Sequence, residues 1–215
     1  DDRIRTDQDI HKELDLPVLS TIGRFDRDVG ELVMLSEPSS SAVDDFRVLG
    51  MNIRRNYEKE GLHTLLVTSP TPREGKTIVT TNLALALAHS GLGVIAVDAD
   101  MRLPRLHKIF GLDQGMGLAA TLAYGYTDGR LQNTQSVGLK VMTSGTPPPN
   151  PAELLTTPNL ELMIKELAGV ANVVVIDCPP VLMVADALIL APMVDRVLLV
   201  LKAGQSESNS TKRAI

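Results

Sequence analysis

Two short stretches carry the residue types that phosphate chemistry requires. Ser69 to Thr77 reads SPTPREGKT and closes in Gly75-Lys76-Thr77, as a phosphate-binding loop does. The pattern G-x-x-x-x-G-K-[ST] wants its first glycine where Pro70 stands. Proline fixes φ and has no N–H for a phosphate, so anion binding falls to the later residues. There Glu74 to Ile78 would aim backbone N–H groups from the start of a helix. Lys76 would bring charge to the outer phosphates and Thr77 a hydroxyl to Mg²⁺. The plain alternative is a helix that merely begins with a solvated lysine and a threonine.

The second stretch, GVIAVDADMR, ends an apolar run with Asp98 and Asp100, followed by Arg102. Two carboxylates one residue apart at such a place serve packing poorly, because a buried acid needs a partner. A divalent cation with oxygen ligands and retained waters would be that partner. Asp177, at the end of VVVID, fits an acid that holds Mg²⁺ through water. Alternatively the acids cap the loops or helices that follow them, although capping requires no lysine loop nearby.

The elements that must deliver these residues follow from the apolar patterning. TLLVT, GVIAVD, LKVMTS, VVVID and VLLVLK are short β-rich runs without clean alternation, as expected of strands buried on both faces. Helical stretches lie between them, notably TIVTTNLALALAHSG, which Gly91 should end. Strand–helix alternation predicts an α/β fold with a central, mainly parallel sheet flanked by helices and ligands at the strands' carboxyl ends. Upstream, Val43, Phe46, Leu49, Ile53 and Tyr57 form a helical stripe, with Ser41 or a neighbour as its cap. Residues 1–42 read as a polar lead-in with one short strand, LPVLSTIG. The proline-rich GTPPPNPAELL reads as a loop feeding a helix start.

Composition narrows the function classes. The 215 residues suit one domain, and no apolar run reaches the length of a membrane span. A formal charge of -5 argues against nucleic acid as a main partner. The single cysteine, Cys178, excludes an internal disulfide. With nothing to lower its pKa it reads as a small buried side chain rather than a redox-sensitive thiol. His11, His63, His89 and His107 share no ligand spacing with one another or with Cys178, which argues against a zinc site.

With these residues in view, the chain resembles the bacterial tyrosine kinases that regulate capsular and exopolysaccharide assembly, the cytoplasmic part of polysaccharide co-polymerases. SPTPREGKT is similar to the family's Walker A, which typically lacks the glycine at the position of Pro70. VDADMR resembles its second acidic motif, and VVVIDCPP its Walker B. DDFRVLGMNI, GLAATLAYG, TSGTPPPNPAELL and VADALILAPMVDRVLLVLKAG fit further family segments. The resemblance implies a lead-in over 1–42 packed on the core and one phosphate-loop kinase domain over 43–215. It implies an ATP-dependent tyrosine autokinase at the cytoplasmic face of the plasma membrane. Its partners would be copies of itself in a ring-like homo-oligomer and a co-polymerase membrane segment, fused upstream or separate. ATP would lie along Thr71, Pro72, Arg73, Glu74, Gly75, Lys76, Thr77 and Ile78, with Mg²⁺ at Thr77, Asp98, Asp100 and Asp177. Lys76, Asp98, Asp100 and Arg102 would be catalytic, Asp98 taking the tyrosine proton and Arg102 steadying either the acidic loop or the phosphoryl group.

The chain departs from the family at several places. Arg73 stands where glycine is usual, restricting the backbone beside the phosphates. Gly50 replaces an arginine in the helical segment that helps assemble the ring, where Asp44 and Arg47 remain contact candidates. Those two are equally a solvated i,i+3 pair. The family's tyrosine-rich tail and the end of the last helix are expected beyond Ile215. Tyr57, Tyr124 and Tyr126 read as packing or loop residues rather than acceptors. An ATPase switch that transfers phosphate only to water and a nucleotide-binding adaptor remain as rival readings. The former usually carries a second, early lysine that SPTPREGKT lacks.

Overall fold

The computed structural model describes residues 2–25, 30–125 and 130–215; Tyr126 lies outside the described residues. Six strands form one sheet: β1 (Thr64–Thr68), β2 (Val94–Asp98), β3 (Leu131–Asn133), β4 (Leu139–Met142), β5 (Val173–Asp177) and β6 (Arg196–Leu199). Their order is β3-β4-β2-β5-β1-β6, and every pairing is parallel except that of β3 with β4. All residues of β1, β2 and β5 are buried. Helices cover both faces of such a sheet, which is why these strands lack polar alternation.

The register of the central pair matters most. Asp98 and Asp177 are direct partners across β2 and β5, and Val67 of β1 is opposite Asp177. The strand ends therefore carry both acids to one edge, next to the loop that leaves β1.

That loop runs into α4 (Lys76–His89), which is buried nearly all round. A helix apolar on every side belongs inside the fold. It ends as expected, with Ser90 at the cap and Gly91 at φ +92°. Outside α4 lies α3 (Ser41–Glu60), started by Ser40, whose hydroxyl accepts from Ala42 N–H, and stopped by Gly61 in the left-handed region. Its buried stripe is Val43, Phe46, Leu49, Gly50 and Ile53. Gly50 therefore faces the core and not an assembly surface: a Cβ there would come within 3.1 Å of Ala86 Cβ on α4. The missing side chain permits the close approach of the two helices.

The lead-in also differs from expectation. No strand forms at LPVLSTIG; a short helix, α1 (Asp7–Leu14), precedes it and an extended strap follows. Side chains of α3 occupy the strap's backbone: Asn52 donates to Leu19 C=O at 2.7 Å, and Asp45 accepts from Gly23 N–H at 2.8 Å. With those groups engaged on a helix, the segment has no need of a sheet edge. A second turn of helix, α2 (Val33–Ser36), buries Val33 and Met34 in the core shared with α3 and α4. The opposite face of the sheet carries α6 (Leu118–Tyr124), α7 (Pro151–Leu155), α8 (Pro158–Val170) and α9 (Asp186–Leu190), while α5 (Leu106–Phe110) follows the β2 loop and α10 (Ser208–Ala214) closes the described chain.

Candidate active site

Between β1 and α4 the chain doubles back through two left-handed residues, Arg73 at φ +67° and Gly75 at φ +98°. Arg73 thus holds a conformation that glycine adopts freely and a side chain resists. The loop is locked from inside by Glu74, whose buried carboxylate accepts from Thr71 N–H at 3.1 Å, Thr71 Oγ1 at 3.0 Å and Ser206 Oγ at 2.7 Å. Gly75 offers no side-chain cap to α4. The first N–H groups of that helix, which no carbonyl within the helix can reach, remain for an anion.

One helical turn then supplies hydroxyls to Asp177. Thr77 Oγ1 donates to Asp177 Oδ2 at 2.7 Å, and Thr80 Oγ1 lies 3.2 Å from Asp177 Oδ1. Lys76 Nζ donates to Asp100 Oδ2 at 3.0 Å and sits 3.8 Å from Asp177 Oδ1. Burial pulls the pKa of Lys76 down, but the Asp177 and Asp100 carboxylates outweigh it and hold the ammonium above its ordinary range. Burial pushes Asp177 up, against Lys76 and the Thr77 hydroxyl, which favour its charged form.

Asp98 is different. Its Oδ2 accepts from Arg105 and Leu106 N–H, both at 2.9 Å, and so caps the start of α5. Its Oδ1 is buried without a hydrogen-bond partner among the described residues. Burial, reinforced by the charge on Asp177, raises its pKa from 3.8 to about 7. Asp100 divides its carboxylate in the same manner, one oxygen to Leu103 N–H at 3.0 Å and the other to Lys76. Capping is therefore half of what these acids do.

Lys76, Thr77, Asp98, Asp100 and Asp177 come together at the strand ends. Arg102 does not join them: its guanidinium straddles Asp186, at 3.3 Å from Nε and 3.2 Å from Nη2. Thr71 and Glu74 turn their side chains into the loop. Among the described residues no group of three or more His, Cys, Asp or Glu side chains gathers closely enough to hold a metal on its own. The donor set suits Mg²⁺ all the same, since the ion takes few protein ligands, prefers hydroxyl and carboxylate oxygens and keeps its waters. The unpartnered Asp98 Oδ1 lies in the same group. Asp44 and Arg47 pair at 2.7 Å on the exposed side of α3, away from the site.

Sequence reasoning missed Thr80, Asp186 and Ser206. Thr80 was available from its i,i+3 spacing to Thr77, and Asp186 from its place as an acid inside VADALIL. Ser206 gave no signal. Tyr57 is half-buried, and its hydroxyl accepts from Asn172 Nδ2 at 2.8 Å. Tyr124, read as a packing or loop residue, is the last residue of α6 and is 66% exposed. Cys178 is buried, and burial pushes its thiol pKa well up.

No family model matches the chain. The tyrosine-protein kinase YwqD of Bacillus subtilis (strain 168) is 33% identical over 184 residues, covering 85% of this chain and 78% of that protein. The chain belongs to the bacterial tyrosine kinases. The solved BceF tyrosine kinase domain superposes on it with a TM-score of 0.89 at 30% identity, covering 99% of this chain and 91% of that one. Some members of the family are much longer: the tyrosine-protein kinase Etk of Escherichia coli (strain K12) is 32% identical over 171 residues, 79% of this chain but 24% of Etk. A weaker likeness reaches the septum site-determining protein MinD of Pyrococcus horikoshii, solved with Mg-ADP. Its TM-score is 0.56 at 26% identity, over 64% of this chain and 57% of that one. Among bacterial tyrosine kinases, then, this one builds its phosphate loop with Pro70 at the entrance and Arg73 in a left-handed turn.

Proposed function

We propose that this bacterial tyrosine kinase transfers the γ-phosphoryl group of ATP to tyrosine hydroxyls on other copies of itself, and thereby regulates capsular or exopolysaccharide assembly. The observation that carries the chemical part is the carboxylate of Asp98, buried with a free oxygen and a pKa near 7, in register with the lysine–threonine–Asp177 group.

Phosphoryl transfer asks the protein for position and charge. Backbone N–H groups from Arg73 to Ile78 would cradle the phosphates, and Lys76 would neutralise the β and γ oxygens. Thr77, Asp177 and Asp100 would hold Mg²⁺ or its waters, with Asp98 beside Asp177 in the sheet; the ion supplies charge neutralisation when bound. Asp98 Oδ1 would accept the proton of the incoming tyrosine, whose ordinary pKa is about 10, as the tyrosine oxygen bonds to phosphorus and the bond to ADP breaks. A base with a pKa near the working pH is well matched to this task. Arg102 would act by tying the loop that carries Asp98 and Asp100 to the buried Asp186.

For self-association, Asp44, Arg47, Val48 and Met51 share one exposed stripe of α3, spaced i, i+3, i+4, i+7. Action at the cytoplasmic face of a membrane rests on the family resemblance; no helix of the described residues is long and apolar enough to cross one. Incubation of the full-length protein with labelled ATP and mapping of the label tests the reading. Phosphotyrosine that disappears in Lys76→Met is expected. Release of inorganic phosphate with no labelled tyrosine would replace it with an ATPase switch.

A further inference from the structure

A carboxylate inside a phosphate loop is electrostatically unfavourable for ATP unless its charge is drawn elsewhere. Here Glu74 is turned inward, and among the described residues one of its donors comes from outside the loop: Ser206 Oγ, at 2.7 Å. Ser206 is 1% exposed and is itself tightly held. Its Oγ accepts from Lys202 N–H at 2.7 Å, and its N–H donates to Lys202 C=O at 2.9 Å. Its C=O accepts from Ile4 N–H at 2.9 Å, while Ile4 C=O accepts from Gly204 N–H at 2.8 Å. Ser208 N–H donates to Asp2 C=O at 2.7 Å, and Arg3 bridges Glu207. The segment 202–208 is thus fixed against residues 2–4 by backbone bonds, and Ser206 Oγ carries its hydrogen bond to the phosphate loop.

We propose that Ser206 and Glu74 are a positioning pair that sets the phosphate loop in its nucleotide-binding shape, and that Ser206 is held in place for this by the N-terminal residues Asp2–Ile4. Without the serine hydroxyl, Glu74 Oε1 loses its shortest bond in a buried setting. The carboxylate then relaxes toward the mouth of the loop, where it opposes the phosphates. Arg73 and Gly75, in left-handed conformations on either side of it, lose the brace that keeps their N–H groups aligned. Ground state and transition state both use those N–H groups, so the loss falls on ATP affinity and KM rather than on kcat.

The inference rests on the nucleotide-binding reading, and the test separates the two. ATP–Mg²⁺ affinity is measured by calorimetry on the full-length protein, with the ATP dependence of tyrosine labelling alongside. Ser206→Ala is expected to weaken affinity about five- to tenfold and raise KM equally, with kcat within about twofold. Ile4→Pro, which removes the N–H bonded to Ser206, is expected to move affinity in the same direction. Ser206→Ala in a Glu74→Gln background is expected to add less than about twofold, because the pair acts as one unit. Lys212→Ala, which breaks the exposed pair with Glu13 on the same C-terminal segment, serves as the control and is expected to leave affinity unchanged. Wild-type ATP affinity in Ser206→Ala, with or without a lowered Tm, would overturn the pair while leaving the kinase reading intact. Equal losses in Ser206→Ala and Lys212→Ala would overturn it too. If the wild-type protein bound no ATP, both readings would fall together.

Discussion

The two halves of the site are built differently. On the β1–α4 side, Asp177 accepts from the Thr77 hydroxyl on one oxygen and has Thr80 Oγ1, shared with Lys76 C=O, and Lys76 Nζ beside the other; Glu74 has three donors, and Lys76 lies between two carboxylates. On the β2 side, Asp98 is half satisfied, with one oxygen on backbone N–H groups and the other on nothing among the described residues. A carboxylate bonded through both oxygens and set beside a lysine is fixed in place, which suits holding. A half-bonded one in a dry place is poised between protonation states, which suits proton transfer.

The largest break comes from removing the charge at the centre of the holding half. Lys76→Met is expected to lower tyrosine phosphorylation about 10³-fold, since it deletes a preorganised cation at the transferring group. Circular dichroism should show an intact fold, and labelled ATP should report the loss.

Breaking the brace of the acidic loop should cost stability. Arg102→Ala leaves Asp186, fully buried, without its cation. A loss of about 1 to 2 kcal/mol in chemical denaturation is expected for a buried acceptor that loses a part-exposed partner. Asp186 and Arg102 replaced together by Asn and Met should recover much of it.

The poised half can be seen by titration. Asp98 has a folded pKa of about 7 against 3.8 for the ordinary group, so the folded state binds the extra proton. Its contribution to stability is complete below about pH 4 and is lost as pH rises through about 7. Asp98→Asn keeps an oxygen for the N–H groups of Arg105 and Leu106 and never charges. It should be more stable than wild type at pH 8 and equal to it near pH 4, as read by urea midpoints. A wild-type advantage at pH 8 would show that Asp98 is not strained by its charge.

The smallest effect concerns the turn. Arg73→Gly should relieve the left-handed strain at φ +67° and raise stability by about 1 kcal/mol, net of the entropy that glycine adds to the unfolded chain. A lower Tm would mean that the arginine side chain makes a compensating contact.

Much of this arrangement was legible in the residues. Lys76, Thr77, Asp98, Asp100 and Asp177 sit at strand ends or helix starts, and those positions follow from local apolar runs. Strand β3 was not legible, because its three residues, Leu131–Asn133, are half-exposed and carry no periodic signal. The strap at LPVLSTIG looked like a strand because it is a short apolar run; only the side chains of α3 decide otherwise. The pairings of Asp186 and Ser206 were hidden for the same reason. Asp186 stands out as an acid inside VADALIL, but its pairing with Arg102 across 84 positions does not, and Ser206, 132 positions from Glu74, leaves no local trace at all. Gly50 read as a departure from a family pattern, and what it does in the fold was hidden because its neighbour Ala86 lies on another helix.

The decisive comparison sets Asp98→Asn against Asp177→Asn in one Mg²⁺ titration of tyrosine phosphorylation at saturating ATP. Asp98→Asn should lose about 10²- to 10³-fold in maximal rate, the usual contribution of a general base, with the Mg²⁺ midpoint and ATP affinity close to wild type. Asp177→Asn should shift the Mg²⁺ midpoint upward by about tenfold and regain part of the rate at high Mg²⁺. Superimposable titrations for the two variants would contradict the division between a holding half and a proton-accepting half.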